Sequence, residues 1–287
     1  MDSVPIINKI SPGIWISKSK FWETNSTIIQ NSNGCVLIDP GVFPSELNDI
    51  SNFIKDKPVG AGLITHAHWD HILWMPEFGY VPRYCSAETL VIMQKDRNHS
   101  IEEMEAFAKD NKMAPDEWKN ILNFNARTFS PGLAEESDLD IEVIPTPGHQ
   151  GGHCSFWLGD SKVLICGDLL SNIEVPTIES SLQSIGQYLS SLDKLEPYVQ
   201  KARYVVPGHG KICPAEEALR RLEKDKRYLH ALQNWAKEEK VEQKLESQAF
   251  QLAEKLGEER IKSPEAWQMH LQNLIILCGG TPKPHKS

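Results

Sequence analysis

Short apolar runs, separated by glycine, proline and asparagine, dominate the first two hundred residues. Residues 14–16, 26–29, 35–38 and 62–64 are rich in β-branched side chains and bounded by turn formers, so each predicts a strand. Between them, Leu47, Ile50 and Ile54 recur at helical spacing and predict a helix over 44–57. A second series of strands is expected at 141–144, 154–158, 163–166 and 204–206, with a helix over 178–195 before the last. Two halves of similar grammar predict an α/β chain in which two sheets pack as a sandwich with helices outside.

Two stretches break this alternation. Residues 87–129 lack strand patterning and read as helical, with Pro115 opening a turn that runs through Trp118 and Leu122. Standing between the halves, they form a candidate lid or wall. From Pro214 onward the pattern is almost purely helical. Pro214 suits a first turn, Gly257 a C-terminal cap, Ser263-Pro264-Glu265 a new start and Gly279-Gly280 its end. Leu219, Leu222, Leu229, Leu232 and Trp235 place one apolar face on the first of these helices. That face has to be buried, on its own core or on another chain. The expected organisation is a catalytic domain over 1–213, with the helical insertion at about 87–129, and a helical extension over 214–287. Association into a homo-oligomer would use the extension.

Composition narrows the class. The chain has 287 residues, of which 40% are hydrophobic and 24% charged, an ordinary globular balance. No run approaches the ~18 apolar residues of a membrane span. The net charge of −9 disfavours a broad nucleic-acid footprint, and the acidic excess falls before Pro214. Residues 1–9 lack the basic start and apolar core of a secretory signal. The six cysteines, Cys35, Cys85, Cys154, Cys166, Cys213 and Cys278, are widely spaced and include no CxxC. Reduced, structural thiols in a cytoplasmic protein are therefore expected.

The chemistry concentrates in Thr65-His66-Ala67-His68-Trp69-Asp70-His71, directly after an apolar run. Imidazole and carboxylate are the donors that a borderline cation such as zinc accepts. Three further segments, Pro147-Gly148-His149, Cys166-Gly167-Asp168 and Pro207-Gly208-His209, each offer one more donor beside a glycine. Seven donors are too many for one tetrahedral ion; they suit two ions that share a carboxylate.

This ordered set, HxHxDH followed by a separate His, a separate Asp and a final His, resembles the metallo-β-lactamase-fold hydrolases at every position. The phrases Val36-Leu37-Ile38-Asp39-Pro40-Gly41 and Thr146-Pro147-Gly148-His149 also resemble the family's usual surroundings. The resemblance spans about residues 10–213 and implies an αββα sandwich of two mixed sheets. It implies that His66, His68 and His149 hold one divalent ion, that Asp70, His71 and His209 hold a second, and that Asp168 bridges them. Zinc is the first choice, with iron and manganese as alternatives. Asp70 is the candidate catalytic residue, orienting the attacking water and handling its proton. Asp39 and His153 are expected outside the ligand set, as partners of the ligands or of a small-molecule substrate.

The implied reaction is hydrolysis of an ester, thioester, lactone, amide or phosphoester by water acidified toward pKa ~7. Asp168 and His71 set the chain apart from the antibiotic-degrading members, which generally lack that aspartate and often use a cysteine. The basic residues that glyoxalase II relatives use for glutathione are not identifiable in the tail. Two alternatives stay open: a mononuclear iron persulfide dioxygenase and a noncatalytic metal-binding module. His99, His230, His270 and His285 have no ligand-like context and are read as surface or core residues. Trp69 and Trp74 are either packing residues or the floor of a cleft, and Tyr84 and Tyr188 are candidate hydroxyl donors to a reacting carbonyl.

Overall fold

The computed structural model describes residues 7–129, 140–237 and 245–280. Strands β1 (Ile7–Ser11), β2 (Ile14–Lys18), β3 (Asn25–Gln30), β4 (Cys35–Ile38), β5 (Val59–Leu63), β6 (Arg83–Cys85) and β7 (Arg127–Thr128) form a seven-stranded sheet in chain order. The first four pair antiparallel, and β4 to β7 pair parallel. The second sheet, of four strands, has the order β11-β10-β9-β8, formed by β8 (Ile141–Pro145), β9 (Cys154–Leu158), β10 (Val163–Ile165) and β11 (Tyr204–Val206). Only β10 and β11 are parallel in it.

The continuous apolar runs arise because the central strands are buried on both faces. Val36 and Ile38 of β4 point between the sheets, toward Phe156, Val163 and Ile165. Their neighbours Cys35 and Leu37 point outward onto Leu47, Ile50 and Ile54 of α1 (Pro44–Ile54). On β10, Val163 and Ile165 face the same inner core, whereas Leu164 faces out toward α5 (Leu182–Lys201). Helix, sheet, sheet and helix are thus stacked in the αββα order.

Residues 87–129 form α2 (Ala87–Lys95), α3 (Arg97–Asp110) and α4 (Pro115–Lys119), but they also contain β7. Its two residues extend the large sheet beside β6, and a strand that short shows no alternation. β1 and β6 also lie outside the strand pattern read from the sequence. The helix expected over 178–195 begins at Leu182, because Ser181 caps it by accepting the Gln183 N–H at 3.2 Å. Ile178 is instead held as loop by its N–H to Asn273 Oδ1 at 3.0 Å.

The tail forms α6 (Ala215–Trp235), α7 (Leu245–Leu256) and α8 (Pro264–Leu277). Ser263 caps α8 through the Ala266 N–H, while Gly257 and Gly279 end α7 and α8 at φ +59° and +78°. The apolar face of α6 is covered by its own chain: Leu222, Leu229 and Leu232 are fully buried against Ile185, Leu192 and Leu195 of α5, and Leu252 and Leu274 complete the cluster. A buried ion network adds to this. Arg260 reaches Asp225 at 2.7 Å, Glu258 at 2.9 Å and the Ser171 carbonyl at 3.2 Å. The tail therefore grips the loop that follows Asp168.

Candidate metal centre

The candidate ligands leave the ends of strands. His66 to His71 follow β5, with Trp69–His71 as a single 3₁₀ turn; Asp168 follows β10 and His209 follows β11, while His149 precedes β9. Glycine is required beside three of them. At Gly148, φ +130°, a Cβ would run into the Tyr188 backbone. A Cβ on Gly208 would collide with Asp168 Oδ1, and Gly167, at φ +55°, would drive one into the His153 ring.

All seven donors are brought together. His66, His68, His149 and Asp168 form one group and Asp70, His71 and His209 another, with ligand atoms inside each group within 4.8 Å of one another. His66 Nε2 lies 2.9 Å and His149 Nε2 3.2 Å from His68 Nδ1. His71 Nε2 and His209 Nε2 are 3.3 Å apart, and Asp70 Oδ2 is 3.4 Å from each. The Asp168 carboxylate stands between the groups. Its Oδ2 is 3.3 Å from His66 and 3.4 Å from His149, and its Oδ1 is 3.2 Å from His71 without hydrogen-bond geometry.

The outer ring nitrogens of four of these histidines are engaged, and acceptors fix the tautomers of His66, His71 and His209. Asp39 Oδ2 accepts from His71 Nδ1 at 2.9 Å and from the Thr65 hydroxyl at 2.6 Å, and Thr65 Oγ1 in turn takes His66 Nδ1 at 2.9 Å. Thr177 Oγ1 meets His149 Nδ1 at 2.7 Å. The carbonyl of Trp22, which can only accept, lies 3.2 Å from His209 Nδ1. A ring whose Nδ1 carries the proton presents a bare Nε2 to the cluster. Trp22 and Glu23 reach this position in the left-handed region, at φ +44° and +49°.

His153 lies outside the converging set. Its Nε2 accepts the Asp168 N–H at 3.1 Å and its Nδ1 faces Thr146 Oγ1 at 2.9 Å, so both nitrogens are spent. Burial, reinforced by His149, pushes its pKa down to about 3. Burial likewise holds His66 well below the usual histidine range. Burial opposes charge on His71 too, but Asp168, Asp70 and Asp39 outweigh it and push that ring up to about 9. His209 moves the same way under Glu174 and Asp168. The centre is thus a buried negative field able to hold positive charge, whether proton or metal ion.

A cleft of about 310 Å³ opens on this cluster. Trp69 lines it, whereas Trp74 is buried with its Nε1–H on the Gly79 carbonyl. Neither tyrosine is poised as a donor: Tyr188 spends its hydroxyl on the Asp168 carbonyl at 3.2 Å, and Tyr84 packs in the core between the sheets. Of the histidines set aside, His270 is buried between Tyr228 and the Ala249 carbonyl, and His230 borders a separate cavity between α6 and α7. His99 is exposed and outside the ligand groups, as expected, and it also lines the cleft. His285 lies outside the described residues.

Sequence reasoning passed over several contributors. Thr177, Glu174 and Gln150, whose Oε1 accepts the Ala67 N–H at 2.7 Å, carry no motif. Met269, Gln272 and Ile276 of α8 also line the cleft, so the tail supplies part of its wall.

The comparisons agree with this geometry. A probable metallo-hydrolase of Streptococcus pyogenes serotype M6 is 25% identical over 197 residues, covering 65% of this chain and 78% of the relative. A hydroxyacylglutathione hydrolase of Buchnera aphidicola is 28% identical over 144 residues, which are 50% of this chain and 46% of the relative. A metallo-beta-lactamase family protein of Thermus thermophilus superposes with a TM-score of 0.62 at 19% identity, over 96% of this chain and 98% of that one, and so shares the fold. The model of the metallo-beta-lactamase superfamily matches residues 20–209. That match takes in every candidate ligand from His66 to His209, and it shows that the chain belongs to the metallo-beta-lactamase superfamily.

Proposed function

We propose that the chain is a hydrolase working through two divalent cations, with zinc the best match to a donor set of imidazole and carboxylate. The observation that carries this reading is the Asp168 carboxylate standing between two groups of converging donors. The fit is good on two counts. Asp168 Oδ1 is buried without a hydrogen bond, and the Nε2 atoms of His71 and His209, whose Nδ1 atoms face acceptors, lie 3.3 Å apart and repel unless a cation lies between them. His66, His68 and His149 would hold one ion, Asp70, His71 and His209 the other, and Asp168 both.

When bound, such a pair supplies Lewis acidity toward a substrate oxygen and water acidified toward pKa ~7. The chain supplies the rest. Asp39, Thr65, Thr177 and the Trp22 carbonyl hold the rings in register. Asp70 orients the attacking water, receives its proton and passes it to the leaving group. Trp69 and its aromatic neighbours keep bulk water from the reacting bond, which strengthens each charge interaction there.

The substrate is read as a small molecule with an ester, thioester, lactone, amide or phosphoester bond. The relative named for a hydroxyacylglutathione puts thioesters first. Among the described residues no helix is long and apolar enough to cross a membrane. The six cysteines are free and five of them are buried, which suits a reducing compartment such as the cytoplasm. The test is to load the full chain with zinc, count metal per chain, and assay thioester, lactone, ester and phosphodiester substrates. Two zinc ions and turnover are expected. A single iron would favour an oxidoreductase, and two metals with no turnover a binding module.

A further inference from the structure

The cleft is unusual in its charge. Beyond the metal-binding cluster itself, its lining includes the carboxylates of Asp96, Glu103, Glu174 and Glu179, and His99 is the one basic side chain among them. No lysine or arginine is found among the described residues that line it. An anionic substrate would meet no counter-charge there apart from the metals.

A second, independent feature lies beside these acids. Phe21, Trp22, Trp69 and Phe107 all line the cleft and touch one another. Phe21 stacks on Trp22 with centroids 5.1 Å apart, and Phe107 meets both Phe21 and Trp69 at 4.9 Å. Trp69 is the chain neighbour of Asp70, so this aromatic cluster begins at the reacting centre. Glu103 precedes Phe107 by one helical turn on the same face of α3, a rise of ~6 Å. Its side chain is mostly buried, and its carboxylate has the exposed His99 ring at 3.5 Å. Aromatic faces beside a carboxylate with no lysine or arginine partner in the cleft are the setting in which alkylammonium groups are bound, by ring quadrupole and Coulomb attraction together.

We infer that the cleft accepts a substrate whose non-reacting end carries an ammonium group, seated against the half-buried Phe21 and Trp22 rings and the Glu103 carboxylate. The inference rests on the hydrolase reading above. The reacting group lies at the cluster, and a short spacer carries the cation past the aromatic rings to Glu103. Met269 and Ile276 of α8 give the spacer an apolar wall. Carboxylate-tailed substrates are rejected because their charge faces Asp96, Glu103 and Glu174.

The experiment uses the zinc-loaded full chain and three hydroxamates with the same spacer, ending in trimethylammonium, tert-butyl or carboxylate. The first two have the same shape, so their difference in dissociation constant by calorimetry reads charge alone. The trimethylammonium compound is expected to bind about five- to ten-fold tighter than the tert-butyl one, and the carboxylate compound weakest. The preference should shrink with added salt. Glu103→Gln should lower it several-fold while leaving tert-butyl binding unchanged. Equal or tighter binding of the carboxylate compound overturns the inference, as does a preference untouched by Glu103→Gln. The salt series and the three-ligand order need no variant. Binding in the wrong charge order removes this inference alone. If no hydroxamate binds at all, the hydrolase reading fails and takes the inference with it.

Discussion

The Asp39 carboxylate lies 2.9 Å from Nδ1 of His71 and thereby decides which nitrogen of that ring faces the cluster. The same carboxylate accepts the Thr65 N–H and hydroxyl, so one side chain orients His71 directly and His66 through Thr65. Asp39 sits at φ +47°, a conformation asparagine also tolerates. Asp39→Asn should therefore fold normally but lose the charge that supports both rings. Zinc affinity is expected to fall about 10–100-fold, measured by titration against a competing chelator. Unchanged affinity would show that Asp39 only shapes the turn.

Asp168 and His153 are adjacent but should behave differently. Asp168→Ala removes the carboxylate between the two donor groups, and metal content and hydrolysis are expected to fall together, the rate by at least ~10²-fold. His153→Ala leaves the Asp168 N–H without its acceptor inside a buried site. Its expected signature is a stability loss of about 1–3 kcal/mol with metal retained. Metal per chain and urea unfolding of both variants check this. A His153→Ala protein that has lost an ion would bring His153 into the ligand set.

The Arg260 network makes stability depend on acidity. Burial opposes charge on Glu258, but hydrogen bonds and charge from Arg260, with Lys224 at 2.9 Å, hold its carboxyl at about 2, below its ordinary 4.5. Because the folded value is the lower one, this stabilisation is present above pH ~4.5 and is lost as pH falls through the window down to ~2. Asp225, more deeply buried against the same guanidinium, shifts upward and opposes the trend. The Glu258→Gln variant separates the two. Its deficit against the parent, from unfolding midpoints between pH 3 and pH 7, should be largest at pH 7 and shrink toward pH 3. A deficit that stays constant with pH would assign Glu258 a packing role only.

The tail should prove inseparable from the rest. Leu229 is fully buried in a cluster that runs from α5 to α8. Leu229→Ala is expected to cost about 2–5 kcal/mol while leaving metal stoichiometry unchanged. Cutting after Lys211 uncovers Ile185, Leu192 and Leu195 and removes the Met269 side of the cleft, so aggregation is expected. A monodisperse truncated protein with an unchanged unfolding midpoint would count against a shared core.

What the sequence made legible follows from how each feature is encoded. Four of the seven donors fall within six residues, so their spacing marked them; His149, Asp168 and His209 lie far along the chain and were joined to them by their glycine-flanked settings and by the resemblance to the metallo-β-lactamase-fold hydrolases. The central strands were readable because burial on both faces leaves few polar positions in runs such as Cys35–Ile38. β7 was not, since two residues carry no period. Thr177 and Gln150 act across long sequence separations and look like any loop residues. The apolar face of α6 announced that something covers it, but not that α8 would go on to line the cleft. His99 was set aside for want of neighbours in sequence; its neighbours, Glu103 and the cleft, are set by the winding and docking of α3.

Of the two acceptors at His209 Nδ1, the Trp22 carbonyl at 3.2 Å and the Thr24 hydroxyl at 3.3 Å, the nearer belongs to the main chain, and this has a consequence for how the protein can change. Asp39, Thr65 and Thr177 can each be lost through a single codon. The carbonyl of Trp22 survives every substitution at that codon that keeps the backbone in its left-handed turn, with β-branched residues the least compatible. The indole, by contrast, lines the cleft. Position 22 thus separates what the site holds from what the cleft admits, and a lineage, or a directed library, can vary the latter there while His209 keeps its orientation.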